Sequence, residues 1–190
     1  DVIGSSARDI IIGVDTYAED PAQVAMIGEY RKLAEPLMQR QVGRITEEVT
    51  RSRNTHGESA LGDIIGDAML AAARRQVSET QIAFMNPGGI RADLPMNGGV
   101  VTFGDIFAVQ PFGNDLVVLT LTGAQIEKVL REQYQPTGNN ILQVSAGFEF
   151  MWKQPVGQPI EIVPGSMKLN GVTVSPEATY RVVTNNFLAD

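Results

Sequence analysis

The residue types best suited to chemistry sit together in one stretch, Phe84-Met85-Asn86-Pro87-Gly88-Gly89-Ile90-Arg91-Ala92-Asp93. It begins as the end of an apolar strand from Gln81, breaks at Asn86-Pro87-Gly88-Gly89, and delivers one cation, Arg91. Pro87 fixes its own φ and supplies no N–H, while paired glycines permit φ > 0 and let another molecule approach the backbone closely. Backbone N–H groups beside a guanidinium fork suit the oxygens of a carboxylate or a phosphate. The same residues also read as a tight turn with a surface arginine. Taken alone, they favour that plainer reading.

Two more loops end apolar segments with an aromatic residue, Pro111-Phe112-Gly113-Asn114 and Asn185-Asn186-Phe187. Phe112 stands between a helix breaker and a glycine, and Phe187 lies just past a strand. Each alone reads as a plug over the core. Together with the arginine turn they would suit a nucleotide, with aromatic faces for the base and a cation with N–H groups for the phosphate. Stacking a base on an aromatic side chain is worth ~1–3 kcal/mol.

Composition excludes several other classes. The chain has 190 residues, 43% hydrophobic and 19% charged, enough for one domain with a real core or a domain plus an appendage. A formal charge of −7 disfavours nucleic acid and anionic membranes as partners. No apolar run is long enough to cross a bilayer. The first residues, Asp1 to Ser6, carry no leader pattern. With no cysteine there is neither disulfide nor thiolate metal site. The lone histidine, His56, sits in a polar loop, whereas zinc sites and Ser-His-Asp triads lean on histidine with further partners. Neither a catalytic residue nor a metal ligand is expected in this chain.

The elements that must position these loops follow from caps and periodicity. Asp20-Pro21 starts a long helix to Gln39, with Val24, Ile27, Leu33 and Leu37 at helical spacing. An extended segment covers 41–50. Ser59 caps a helix with Leu61, Ile64, Ile65, Ala68, Met69 and Ala72 on one face, and Gly62 and Gly66 leave a flat strip for another backbone. Residues 81–85 form a strand. Thr102 caps a helix from Phe103 to Ala108, which Pro111 keeps from running on. The continuous apolar run 115–121 predicts a buried strand. A helix with Ile126, Val129 and Leu130 inward follows it. After a polar loop containing Gly138 come short strands at 141–144, 147–152, 160–163 and 166–169, turn signals at Pro164-Gly165 and Asn170-Gly171, and a strand at 180–184. The fold class is α+β, a mixed sheet with packed helices preceded by a long linker helix.

Four motifs in order, Glu58-Ser59-Ala60-Leu61-Gly62-Asp63, Asn86-Pro87-Gly88-Gly89-Ile90-Arg91, Val109-Gln110-Pro111-Phe112-Gly113-Asn114 and Asn185-Asn186-Phe187-Leu188-Ala189, closely resemble the C-terminal domain of the 5′-nucleotidase family. That family includes bacterial UDP-sugar hydrolases and animal ecto-5′-nucleotidases, and the resemblance covers about residues 20–190. It implies a nucleoside-binding domain that works with an N-terminal calcineurin-like metallophosphatase domain. That second domain would hold two divalent metal ions and carry out the hydrolysis. By the same resemblance Phe112 and Phe187 sandwich the base, Asn114 contacts it, and Arg91 contacts the phosphate from the turn of Asn86, Gly88 and Gly89. Gly138 matches a loop glycine near the nucleoside. Arg51 or Arg53 stands in for arginines that lie upstream of the Gly62 helix in family members, although Thr55 and Gly57 occupy the places where some members have arginine.

The expected organisation is an interdomain linker and lead-in helix at 1–40, followed by the nucleoside-binding domain at 41–190. Family members continue into a Gly-Gly-Asp-Gly segment, so a domain truncated at its C-terminal end is expected. The function implied is substrate recognition for a metal-dependent 5′-nucleotidase outside the cell or in its envelope. The alternatives are a 2′,3′-cyclic-nucleotide phosphodiesterase, a nucleotide-sugar hydrolase, or a non-catalytic binding module of the same fold.

Overall fold

A computed structural model describes residues 4–13, 16–133, 140–155, 158 and 160–189. At its centre lies a four-stranded sheet of order β4-β11-β2-β5, made of β4 (Leu116–Thr122), β11 (Thr179–Asn185), β2 (Ile82–Met85) and β5 (Gln143–Val144). β11 runs parallel to β2, with Val182 opposite Ile82, and antiparallel to β4, with Asn185 opposite Leu116. β5 is antiparallel to β2. The sheet is therefore mixed, and helices cover both of its faces, as the α+β pattern requires.

Period-two alternation along the two central strands divides the core. Ala83, Met85 and Val183 face α2 (Ala60–Arg74) and pack with Leu61, Met69 and Leu70. Ile82, Phe84 and Val182 face the other way, onto Ile126 and Leu130 of α4 (Gly123–Arg131) and onto Phe148 and Ile162 of the short strands beyond. β2 is buried on both faces and wholly apolar, and β11 is buried from Val182 to Asn185.

The run at 116–122 is a strand, but it is not buried. β4 lies at the sheet edge and its residues are half-buried or exposed, with Leu116 42% exposed. A continuous apolar run reports that both faces are covered and says nothing of whether a neighbour lies on each side.

α2 also departs from expectation in the face it buries. Leu61, Gly62, Gly66, Met69, Leu70 and Ala73 point inward, while Ile64 is 50% exposed and Ala68 and Ala72 face solvent. The two glycines decide the rotation. A Cβ on Gly66 would stand 3.1 Å from the backbone of Val144 and Ser145, so β5 packs directly onto the helix there.

Most other local signals produce the elements they predict, but the run 147–152 is not one strand, since Phe148–Glu149 and Trp152–Lys153 belong to different sheets. Asp20 caps α1 (Pro21–Met38), its Oδ1 accepting from Ala22 N at 2.8 Å. α1 buries none of its residues, so its helical spacing does not correspond to a buried stripe. Thr102 and Asp105 close a capping box on α3 (Phe103–Val109), and Gln110 after it leaves the helical region before Pro111. β1 (Gln41–Arg44) pairs with β3 (Val100–Thr102). β6 (Phe148–Glu149) and β10 (Val172–Thr173) flank β9 (Lys168–Leu169), and β7 (Trp152–Lys153) pairs with β8 (Glu161–Ile162). Asn170 at φ 51 and Gly171 at φ 79 make the turn between β9 and β10, as an Asn-Gly pair favours. The segments around Pro164-Gly165 turn there without pairing with each other.

Candidate functional site at one end of the central sheet

The sheet order gathers the three loops. β2 and β11 are parallel, so both end on the same side, at Met85 and Asn185. β4 is antiparallel to β11 and starts on that side, at Leu116. The Asn86–Arg91 turn, the Pro111–Asn114 loop and the Phe187 turn must therefore emerge together. The ends of strands in such sheets are where ligands commonly bind.

A cleft of about 780 Å³ opens there, bordered by Asn86, Gly88, Gly89, Arg91, Phe112, Asn114 and Phe187. Arg51 and Arg53 line an adjoining hollow of about 390 Å³ that shares Pro87, Gly88 and Asn140 with the cleft. Gly138 lies outside the described residues. Neither aromatic plugs the core, since Phe112 is 50% and Phe187 70% exposed. Both rings thus offer surface to whatever enters the cleft.

The glycine turn works differently from its sequence expectation. Pro87–Gly89 form one turn of 3₁₀ helix, and neither Gly88 nor Gly89 has a positive φ. Space, rather than φ, distinguishes the two glycines. A Cβ on Gly89 would meet the buried Met85 Cε at 2.5 Å, whereas one on Gly88 would meet nothing nearer than Asn86 Nδ2 at 4.0 Å. Gly89 therefore seats the turn on the core, and Gly88 leaves exposed backbone beside both cavities. Gly89 N donates to Asn86 O and Ile90 N to Pro87 O, while the Gly88 N–H has no acceptor among the described residues.

Two guanidinium groups brace this turn. Arg91 Nη1 donates to Gly88 O at 3.0 Å, and Arg51 Nη1 donates to Ile90 O at 3.2 Å. Arg51 N also donates to Asp93 Oδ1 at 2.7 Å, tying the 51–53 segment to the residues after the turn. Among the described residues neither guanidinium pairs with a carboxylate. Both keep further N–H donors for an anion.

Gln143 anchors the arginine segment from below. It is fully buried, its Oε1 accepting from Ser59 N and Oγ and its Nε2 donating to Gly57 O and Ile141 O. Ser59, the α2 cap, is thereby fixed to β5. Nearby Asp63 has its carboxyl pushed above the usual range, chiefly by partial burial at the helix start and then by the Glu58 and Asp67 carboxylates.

Two asparagines tie the loops to one another. Asn186 accepts from Asp115 N through Oδ1 at 3.1 Å and donates its own N–H to Asp115 O at 3.0 Å, locking the Phe187 turn to the strand that follows Phe112. Asn185, 5% exposed, donates from Nδ2 to Asn86 Oδ1 at 2.9 Å and accepts from Leu188 N at 2.9 Å. Phe187 sits in α5 (Asn186–Ala189), a single turn.

Sequence reasoning missed part of the wall. Val129 of α4 and Glu132 and Gln133 just past its end border the cleft, as do Asn140, Leu142 and Leu188. Their 3- and 4-residue spacing marks a shared helix face, but nothing local says which end of the sheet that face reaches. Among the described residues no group of His, Cys, Asp and Glu is placed to hold a metal ion.

Residues 41–190 match the family described as the 5′-nucleotidase C-terminal domain. The chain belongs to that family. A 5′-nucleotidase precursor from Thermus thermophilus superimposes with a TM-score of 0.69 at 35% identity, over 88% of this chain and 33% of that one. The endonuclease YhcR of Bacillus subtilis (strain 168) is 30% identical over 190 residues, 100% of this chain and 14% of its own length. The cell wall protein Lmo0130 of Listeria monocytogenes is 35% identical over 136 residues, 69% of this chain and 17% of its own. The chain thus spans a third or less of these relatives' lengths.

Proposed function

We propose that this domain recognises the nucleotide part of a phosphoester, holding the base between Phe112 and Phe187 and the phosphate at the Asn86–Arg91 turn. One observation carries the reading. Segments distant in sequence converge on a single cleft with two exposed rings, an amide at Asn114 and unspent donors on Gly88 and Arg91, with Arg51 in the adjoining hollow. Rings take a base face whichever base it is, and the donors match phosphate oxygens.

In this reading residues 41–190 are the substrate-recognition domain of a metal-dependent 5′-nucleotidase-type hydrolase, and residues 1–40 lead into it. A separate metallophosphatase domain of the same protein would supply two divalent metal ions for hydrolysis, and this chain's residues bind and orient the substrate. α1, with Val24, Ile27, Leu33 and Leu37 exposed, leaves apolar surface for such a neighbour. An extracellular or envelope setting is supported by the cell wall designation of the Listeria relative. No described helix is long and apolar enough to cross a membrane.

The adjoining hollow with Arg51 and Arg53 favours a second reading within the same class, a nucleotide sugar or other ester with a further anionic group beyond the first phosphate.

Calorimetric titration with nucleosides and their 5′-monophosphates tests the proposal. Wild-type protein should bind both, the monophosphate more tightly. Arg91→Ala should weaken the monophosphate roughly ten- to hundredfold, the scale of a charge-assisted hydrogen bond worth ~1.5–3 kcal/mol, and barely change the nucleoside. No binding of either ligand would leave a non-catalytic module of the same fold, and equal weakening of both would make Arg91 a structural brace.

A further inference from the structure

We infer that Asn185 is a positioning residue that fixes which end of the Asn86 side-chain amide faces the cleft. The inference rests on the nucleotide-binding reading above, and adds to it a residue that does not itself border the cleft.

The polarity of one backbone group is certain. Leu188 N can only donate, so the Asn185 atom 2.9 Å away must be the carbonyl Oδ1. The other end of that amide is then Nδ2, a donor, and it meets Asn86 at 2.9 Å. Asn86 must answer with its acceptor, Oδ1. Its own Nδ2 is left over, with no hydrogen-bond partner among the described residues, on a side chain that borders the cleft. Donor polarity passes in this way from the Phe187 turn through a buried amide to the anion-binding turn. The amide of Asn86 consequently joins Gly88 N–H and Arg91 as a donor rather than opposing the phosphate with an oxygen.

The surroundings hold Asn185 in place. It is 5% exposed at the end of β11, and its Nδ2 also lies 3.6 Å from the buried Met85 Sδ, which receives Gln110 Nε2 at 3.4 Å from another side. A flipped Asn185 amide would set carbonyl against carbonyl at Asn86 and NH₂ against N–H at Leu188, leaving both pairs unsatisfied.

Two near-isosteric variants test this by titration, using the nucleoside and matching 5′-monophosphate that the wild-type chain binds most tightly among the A, G, U and C pairs. Asn185→Asp still accepts from Leu188 N but presents an acceptor to Asn86, whose amide must reverse and aim its oxygen at the cleft. The monophosphate should weaken at least tenfold and the nucleoside less than threefold. Asn185→Leu adds no charge and releases Asn86, so the monophosphate should weaken three- to tenfold. An unchanged monophosphate affinity in Asn185→Leu would show that the first variant acts through charge alone and would overturn the inference, as would equal losses for both ligands in either variant. A measurement on the wild-type chain stands apart from whether the variants fold. The Asn86 side-chain NH₂ resonances should shift on adding the monophosphate and stay in place with the nucleoside, and if they ignore the monophosphate Asn86 is not a donor to it. A wild-type chain that binds no nucleoside or nucleotide would instead overturn the nucleotide reading, and this inference with it.

Discussion

Replacing Phe112 or Phe187 by leucine separates a base clamp from a core plug, because exposure predicts opposite outcomes. Phe112 is 50% and Phe187 70% exposed. A phenylalanine can bury ~150–250 Å², so roughly 100 Å² of Phe112 and somewhat more of Phe187 remains for a ligand to cover. A base lying against one face of each ring would cover about half of that. At ~25 cal/mol per Å² this is about 1–2 kcal/mol per ring, inside the ~1–3 kcal/mol range for base stacking. Leucine keeps aliphatic bulk but loses the flat face, so each substitution should raise the nucleoside Kd about five- to thirtyfold. Folding should hardly notice, since substitutions at such exposed positions usually change stability by about 0.5 kcal/mol or less. For a chain of this size that is at most ~2 °C in Tm. Titration calorimetry and thermal unfolding on the same samples give both numbers. An unchanged Kd with Tm lowered by ~4 °C or more in either variant would refute the clamp and return that ring to the core.

Two other substitutions probe the scaffold. Gln143→Leu removes four hydrogen bonds at a fully buried site and orphans Ser59 N, Gly57 O and Ile141 O. At ~1 kcal/mol or more each it should cost about 3–5 kcal/mol in urea unfolding, and a loss below ~1 kcal/mol would show that water replaces those partners. Asp63→Asn should stabilise the fold near neutral pH. The raised folded-state pKa of Asp63 means the native state holds a proton that the unfolded chain releases, so stability falls as pH climbs from the ordinary value of 3.8 through the raised one. The Tm gain should be present above that window and vanish below it, and a gain that persists in acid would assign the effect to something other than this carboxyl.

The elements were legible in the sequence because their signals are local. Asp20, Ser59 and Thr102 cap the helices they precede, Pro111 bars the helix before it, and Asn170-Gly171 turns a hairpin. The three loops were legible as unusual residues at the ends of apolar segments. Their meeting was not, because it depends on β11 lying between β4 and β2, a pairing of segments far apart in sequence. The same blindness explains β4, whose run Leu116-Val117-Val118-Leu119 cannot announce that only one side of the strand is paired. On α2 the bulk of Ile64 suggested the buried face, yet small residues won because the backbone of β5 comes close to Gly66. Asn185 and Gln143 work as buried amides whose partners are remote in the chain, so no spacing rule could single them out.

The registration of β4 against β11 acts as the gauge that sets the interval between the two rings. Phe112 lies just ahead of Leu116 and Phe187 just behind Asn185, and those two residues face each other across the ladder. A slip of β4 by one residue would slide its loop by about 3.4 Å and turn its side chains to the opposite face. A slip by two would restore the faces and move the loop by about 7 Å. If the two rings hold a base as proposed, loop sequences can therefore drift and retune which base is preferred without disturbing the interval. Insertions or deletions inside 116–122 or 179–185 would abolish it in a single step.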